Sequence, residues 1–203
     1  MDLRLPPAGW VDLLEVPGLR FDLRYASNDN VTGRPLPGYG AAGAWLRADA
    51  ATALARVTQS LAADGWGVTV FDAYRPYRAT LALVRWAEAT GRGDLVARGL
   101  LARRSEHNAA AAVDVALCDL QTRALLDHGG AFDDFGPTAH PLGASGSGRA
   151  LRQRLAAEFE RAGFVPSTTE WWHMGWPQRG EPLDIPYGAE EADDAPARAA
   201  IPA

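Results

Sequence analysis

The chain has 203 residues, 47% of them hydrophobic, enough for one domain with a sizeable core and too little for two of ordinary size. Its formal net charge is -5, and arginine supplies every basic side chain because the sequence contains no lysine. With no basic run or patch a nucleic-acid partner is not expected, and with no apolar stretch of spanning length neither is a membrane.

Residues 11–26 alternate loosely and break at Pro17-Gly18, which predicts two short strands around a turn. Residues 27–43, rich in Gly, Pro and Asn, predict a long loop and a candidate wall of a functional site. Ala50, Ala53, Leu54, Val57 and Leu61 fall at helical spacing, and Gly65 ends that helix. A strand over 68–71 then delivers Asp72, Tyr74 and Arg75 to its end, and Pro76 opens a second helix running to about Ala89. Residues 94–104 predict a short third helix. Over 112–117 the pattern is a buried strand, with Val113, Val115 and Leu117 on one face and Ala112, Asp114 and Ala116 on the other. The single cysteine, Cys118, follows and is expected as a buried thiol. Residues 119–123 make a hairpin turn into 124–126, and 129–148 form a second irregular loop holding Asp133 and His140. Leu151, Leu155, Phe159 and Ala162 mark a helix ended by Gly163, and a strand-like run over 164–169 leads toward His173. Residues 1–188 are read as one domain and 189–203 as a disordered acidic and Ala-Pro tail. The order of elements predicts an α+β fold, a small mostly antiparallel sheet with flanking helices. The first residues carry no signal-peptide pattern, so a cytoplasmic, reducing location is expected.

Two stretches carry chemistry. Asp114 points from the buried strand into a face of small apolar residues, where a carboxylate is costly unless a cation meets it. His107, seven residues earlier, hangs from the loop leading in. The second stretch is Glu170-Trp171-Trp172-His173. Catalytic zinc takes three protein ligands from imidazole nitrogen and carboxylate oxygen and keeps one position for water, and His107, Asp114 and His173 complete such a set. Glu170 then lies near enough to take a proton from the activated water, provided a bulge or strand end turns it to the same side as His173. The helical His-Glu-x-x-His motif is absent.

At these residues the sequence resembles the D-alanyl-D-alanine dipeptidases of the VanX type, zinc peptidases whose pattern is Ser-x-His-x-x-Gly-x-Ala-x-Asp followed by Glu-x-Trp-His. Ser105, His107, Ala112 and Asp114 match the first part; Glu170, Trp172 and His173 match the second. Asp22 to Ala26 with Asn30, Thr32, Gly33 and Pro35, and Asp72 to Pro76, are similar to further family stretches. Ala110 stands where the family has glycine. The resemblance implies one zinc ion per chain and a small D,D-dipeptide substrate. It implies that Arg75 stabilises the oxyanion, that Asp133 holds the substrate ammonium, and that Tyr25 and Ser105 contact substrate. The plainer readings are an Asp72 ion pair for Arg75, turn capping for Asp133 and Ser105, and core packing for Tyr25. It favours Trp172 over Trp171 as the structural tryptophan. His128 is read as a turn residue and His140 as a partner of a metal ligand. Two alternatives are a D,D-carboxypeptidase acting on peptidoglycan stem peptides, and a zinc-binding module with impaired catalysis, supported by Ala110.

Overall fold

The computed structural model describes residues 4–41 and 43–188, so the tail expected over 189–203 lies outside the described residues. The strands are β1 (Trp10–Asp12), β2 (Leu19–Phe21), β3 (Trp45–Arg47), β4 (Trp66–Asp72), β5 (Ala112–Asp119), β6 (Val165–Pro166) and β7 (His173–Gly175). The helices are α1 (Ala48–Ala62), α2 (Tyr77–Ala89), α3 (Gly93–Ala97) and α4 (Gly146–Ala162). β1 and β3 form an antiparallel pair, and the main sheet has five strands in the order β2-β4-β5-β7-β6. Only β2 and β4 run parallel within it, so the architecture is α+β with a mostly antiparallel sheet.

The two short strands expected around Pro17-Gly18 form as β1 and β2, the first joining β3 and the second joining β4, because pairing is settled by nonlocal partners that local alternation does not encode. Two local expectations are corrected. The third helix stops at Ala97, and Gly99, at φ +73, turns the chain away with the Leu100 and Leu101 amides folded back on the Leu95 carbonyl. The run over 164–169 is strand only at β6, after which Ser167 accepts the Thr169 and Glu170 amides in a turn. The turn after β5 does form, with Asp119 Oδ1 accepting the Gln121 and Thr122 amides.

Two hydrophobic clusters hold the domain. The larger takes Leu54, Val57 and Leu61 from α1, Leu155 and Phe159 from α4, and Val113, Val115 and Leu117 from β5. Each fully buried Leu or Phe among them contributes roughly 1.5–3 kcal/mol. The smaller gathers Tyr25, Tyr39, Trp45, Tyr74, Leu83 and Tyr187 around α2. Because Val113 and Val115 enter the main core, strand alternation turns Asp114 to the opposite face, where a cleft opens between the clusters. Among the described residues no helix is long and apolar enough to cross a membrane.

Candidate metal centre and active-site cleft

The antiparallel register of β5 and β7 sets Asp114 directly opposite His173, and residues so paired share one face of a sheet. His107 arrives from the 3-10 turn Glu106–Ala109, which Ser105 caps by accepting the His107 amide while Asn108 accepts the Ser105 amide. The turn is stitched to the end of β4: the Arg75 amide donates to the His107 carbonyl and the Asn108 side chain donates to the Arg75 carbonyl. The result is a triangle of possible ligand atoms. His107 Nε2 lies 3.2 Å from His173 Nδ1 and 3.2 Å from Asp114 Oδ1, and His173 Nδ1 lies 3.0 Å from Asp114 Oδ1. Ligands at about 2.0–2.1 Å from a tetrahedral ion sit about 3.3–3.4 Å apart, so the triangle has nearly the size of one tetrahedral face. His107 and Asp114 are buried and His173 is partly buried. The donor set fits a divalent metal ion.

Each imidazole keeps its other nitrogen engaged. His107 Nδ1 donates to the Ala73 carbonyl at 2.6 Å, which leaves Nε2 bare toward the triangle. His173 Nε2 lies 3.3 Å from Glu106 Oε2, and the other Glu106 oxygen pairs with Arg179. Burial works against charge on the His173 ring, but its hydrogen bonds to Asp114 and then Glu106 outweigh it and raise the pKa to about 10. Burial likewise opposes ionisation of Asp114, yet the facing imidazoles hold its carboxyl far below the ordinary carboxylate range.

Beside the triangle, a β-bulge between Val70 and Asp72 bends the end of β4 toward the cleft. Asp72, 1% exposed, accepts from Tyr39 at 2.6 Å and from Arg75 Nε at 2.9 Å, so it fixes the guanidinium. Arg75 reaches to 3.7 Å from Asp114 Oδ2 and lies over the Tyr25 ring at 4.6 Å. The Tyr25 hydroxyl donates to Asp133 Oδ2 at 2.8 Å. Asp133 sits at φ 57, a conformation aspartate tolerates better than most residues, and burial raises its pKa to about 7. Glu170 lies in the turn just before β7, the strand end the sequence required, and burial followed by the Asp114 charge raises its pKa.

All eight residues singled out from the sequence as ligands, catalytic groups or substrate contacts border one cleft of about 430 Å³. Ser105 both caps the His107 turn and borders the cleft. Other readings change. His140 is exposed and its ring accepts the Leu142 amide; among the described residues it makes no hydrogen bond to His107, Asp114 or His173. His128 is core: its ring stacks on Trp171 with centroids 4.5 Å apart, donates to the Leu126 carbonyl and accepts from the Leu117 amide. Both tryptophans are structural: Trp171 stacks on His128 with Arg152 over its ring, and Trp172, as the resemblance favours, is 1% exposed in the main core against Phe132 while also bordering the cleft. None of the described residues of 27–43 lines the cleft; they back it, Tyr39 through its hydroxyl on Asp72 and its ring edge against Tyr25, and Leu36 through its amide on the Tyr25 carbonyl. Sequence reasoning missed Glu106. Its one signal is its place beside His107, and nothing in the spacing shows that it reaches a histidine 67 residues away.

A solvent-reached pocket that holds a His, His, Asp triangle beside the partly buried Glu170 carboxylate and a fixed guanidinium is the layout of a metal-dependent hydrolase. Residues 7–190 match the family described as D-ala-D-ala dipeptidase. Similar curated proteins include the D-alanyl-D-alanine dipeptidase of Enterococcus faecium, 30% identical over 85% of this chain and 92% of that one. Those of Streptomyces coelicolor and Escherichia coli are 33% and 34% identical, covering 78% and 83% of this chain and 86% and 84% of theirs. The chain belongs to the D-Ala-D-Ala dipeptidase family, and it is a metallopeptidase.

Proposed function

We propose that the protein hydrolyses the free dipeptide D-alanyl-D-alanine to two D-alanines in a zinc-dependent reaction in the cytoplasm. The observation that carries this reading is the convergence of the candidate ligand triangle, Glu170, Arg75 and the partly buried Asp133 on one small cleft. Two imidazoles and one carboxylate at near-tetrahedral spacing suit zinc with one position left open. His107 Nε2, Asp114 Oδ1 and His173 Nδ1 would hold the zinc, which would supply positive charge to acidify water and polarise the scissile carbonyl. Glu170, its pKa raised while that of Asp114 is lowered, takes a proton from the attacking water and passes it to the leaving amine. Arg75, held by Asp72, faces the oxygen on which negative charge develops. Asp133 receives the substrate ammonium, with Tyr25 fixing its carboxylate, and Ser105 contacts the dipeptide from the cap of the His107 turn. The buried free thiol of Cys118 supports a reducing compartment.

The test is an assay with free D-Ala-D-Ala and with its N-acylated form. Cleavage of the free dipeptide alone is expected, because acylation removes the ammonium that Asp133 meets. Cleavage of the blocked form would point instead to a D,D-carboxypeptidase, and cleavage of neither to a binding module.

A further inference from the structure

The two imidazoles of the triangle are steadied differently. His107 is 1% exposed and its spare nitrogen is fixed by a backbone carbonyl that cannot move without the end of β4. His173 is partly exposed, opens β7 directly after a turn, and among the described residues has one side-chain hydrogen-bond partner beyond the triangle, the Glu106 carboxylate on its Nε2. Glu106 is in turn held from two sides. Arg179, from the segment after β7, pairs with Oε1, and the missing side chain of Gly175 leaves the room that Oε2 occupies, since a Cβ there would overlap it. Within β7 a glycine is otherwise a weakness, so this close approach gives it a use.

We propose that Glu106 is a positioning residue for the metal centre. By accepting the Nε2–H of His173 it fixes the ring in the tautomer that turns a bare Nδ1 toward His107 Nε2 and Asp114 Oδ1, and Arg179 keeps the carboxylate in that place. Metal-bound imidazoles whose outer nitrogen is held by a carboxylate bind metal more tightly, and loss of such a partner costs about 10–100-fold in affinity. The inference rests on reading His107, Asp114 and His173 as metal ligands.

Zinc affinity is measured by competition with a chromophoric chelator for the wild-type chain, Glu106→Ala and Glu106→Gln, with melting curves of the metal-free forms as a check on folding. The alanine variant is expected to bind zinc about 10–100-fold more weakly. The glutamine variant, whose amide oxygen still accepts a hydrogen bond, is expected closer to wild type than to alanine. Glu106→Leu, of similar bulk and unable to accept, is the second non-acceptor should alanine loosen the turn. Unchanged affinity in both non-acceptors overturns the proposal. So does a glutamine variant as weak as alanine, because charge alone then explains the loss. A wild-type chain that binds no zinc overturns the ligand reading itself, an outcome distinct from either.

Discussion

Ala110 carries the backbone at φ 51 and ψ 34, directly after the turn that bears His107, with its amide bonded back into that turn and its carbonyl accepting the Arg47 amide. An L residue in this left-handed conformation is strained by about 1–2 kcal/mol, while glycine there gives back about 0.5–1 kcal/mol in chain entropy. The Ala110 methyl is fully buried in the smaller cluster, which offsets part of the gain. Ala110→Gly is therefore expected to raise the melting temperature by about 1–2 °C. A lower melting temperature would show that the methyl contact outweighs the strain. Glu170 and Asp114 separate by role. Glu170→Gln is expected to keep its zinc while turnover falls about 10²–10⁴-fold, and Asp114→Ala to lose metal and activity together. Metal analysis beside kinetics checks both; zinc lost in step with activity in Glu170→Gln would make Glu170 a ligand.

His128 ties three elements together, joining the segment at Leu126 to β5 and stacking on the Trp171 turn that leads into β7. Burial lowers its pKa from 6.5 to about 4, so the folded ring is neutral. A base whose folded pKa lies below its unfolded value contributes stability fully above the unfolded pKa and loses it as pH falls through the folded one. About 3 kcal/mol should be lost between pH 6.5 and pH 4. Melting curves of the wild-type chain and His128→Gln across that window should show a shallower fall in the variant; parallel curves would remove His128 as the cause. The sequence showed His128 only as a residue beside two glycines, because stacking on a tryptophan 43 positions later is not a local property. The long α1 and the β5 alternation were legible because their periodicity is local and their buried faces continuous. The parallel pairing of β2, the short α3 and the broken run after β6 were not, since each is settled by contacts or turn bonds outside the segment. That His107, Asp114 and His173 could meet at one site was legible through residue type, order and the family resemblance; that Glu106 reaches His173 was not.

At the scale of the molecule, the cleft joins two cores, so emptying or filling its metal site bears on the whole domain. In the metal-free chain the His173 ring, with its pKa at about 10, adds to the Arg75 guanidinium a second positive charge facing Asp114. Its folded pKa lies above the unfolded 6.5, so this contribution is present in full below pH 6.5 and is lost as pH rises through about 10. Saturating zinc at a thousandfold excess over its Kd adds about 4 kcal/mol. Chelation is expected to lower the melting temperature by about 10 °C near neutral pH, with the gap between loaded and stripped protein widening toward pH 9. A gap that narrows with pH would show that a different group balances Asp114.

The segment after β7 returns to the site: the Leu183 amide donates to the Asn108 carbonyl, the Tyr77 amide donates to the Leu183 carbonyl, and the Tyr187 hydroxyl donates to the Tyr74 carbonyl. During synthesis the ribosome therefore delivers the centre in an awkward order. Asp114 precedes its partner His173 by 59 residues. At ordinary elongation rates roughly 3–12 s pass between them. Throughout that interval the nascent chain carries two of the three candidate ligands, and the strap at 183–187 comes later still. Metal capture is thus expected to follow the synthesis of His173. Ribosome-bound chains stalled before His173 should hold no zinc, and a stalled chain that retained it would reverse that order.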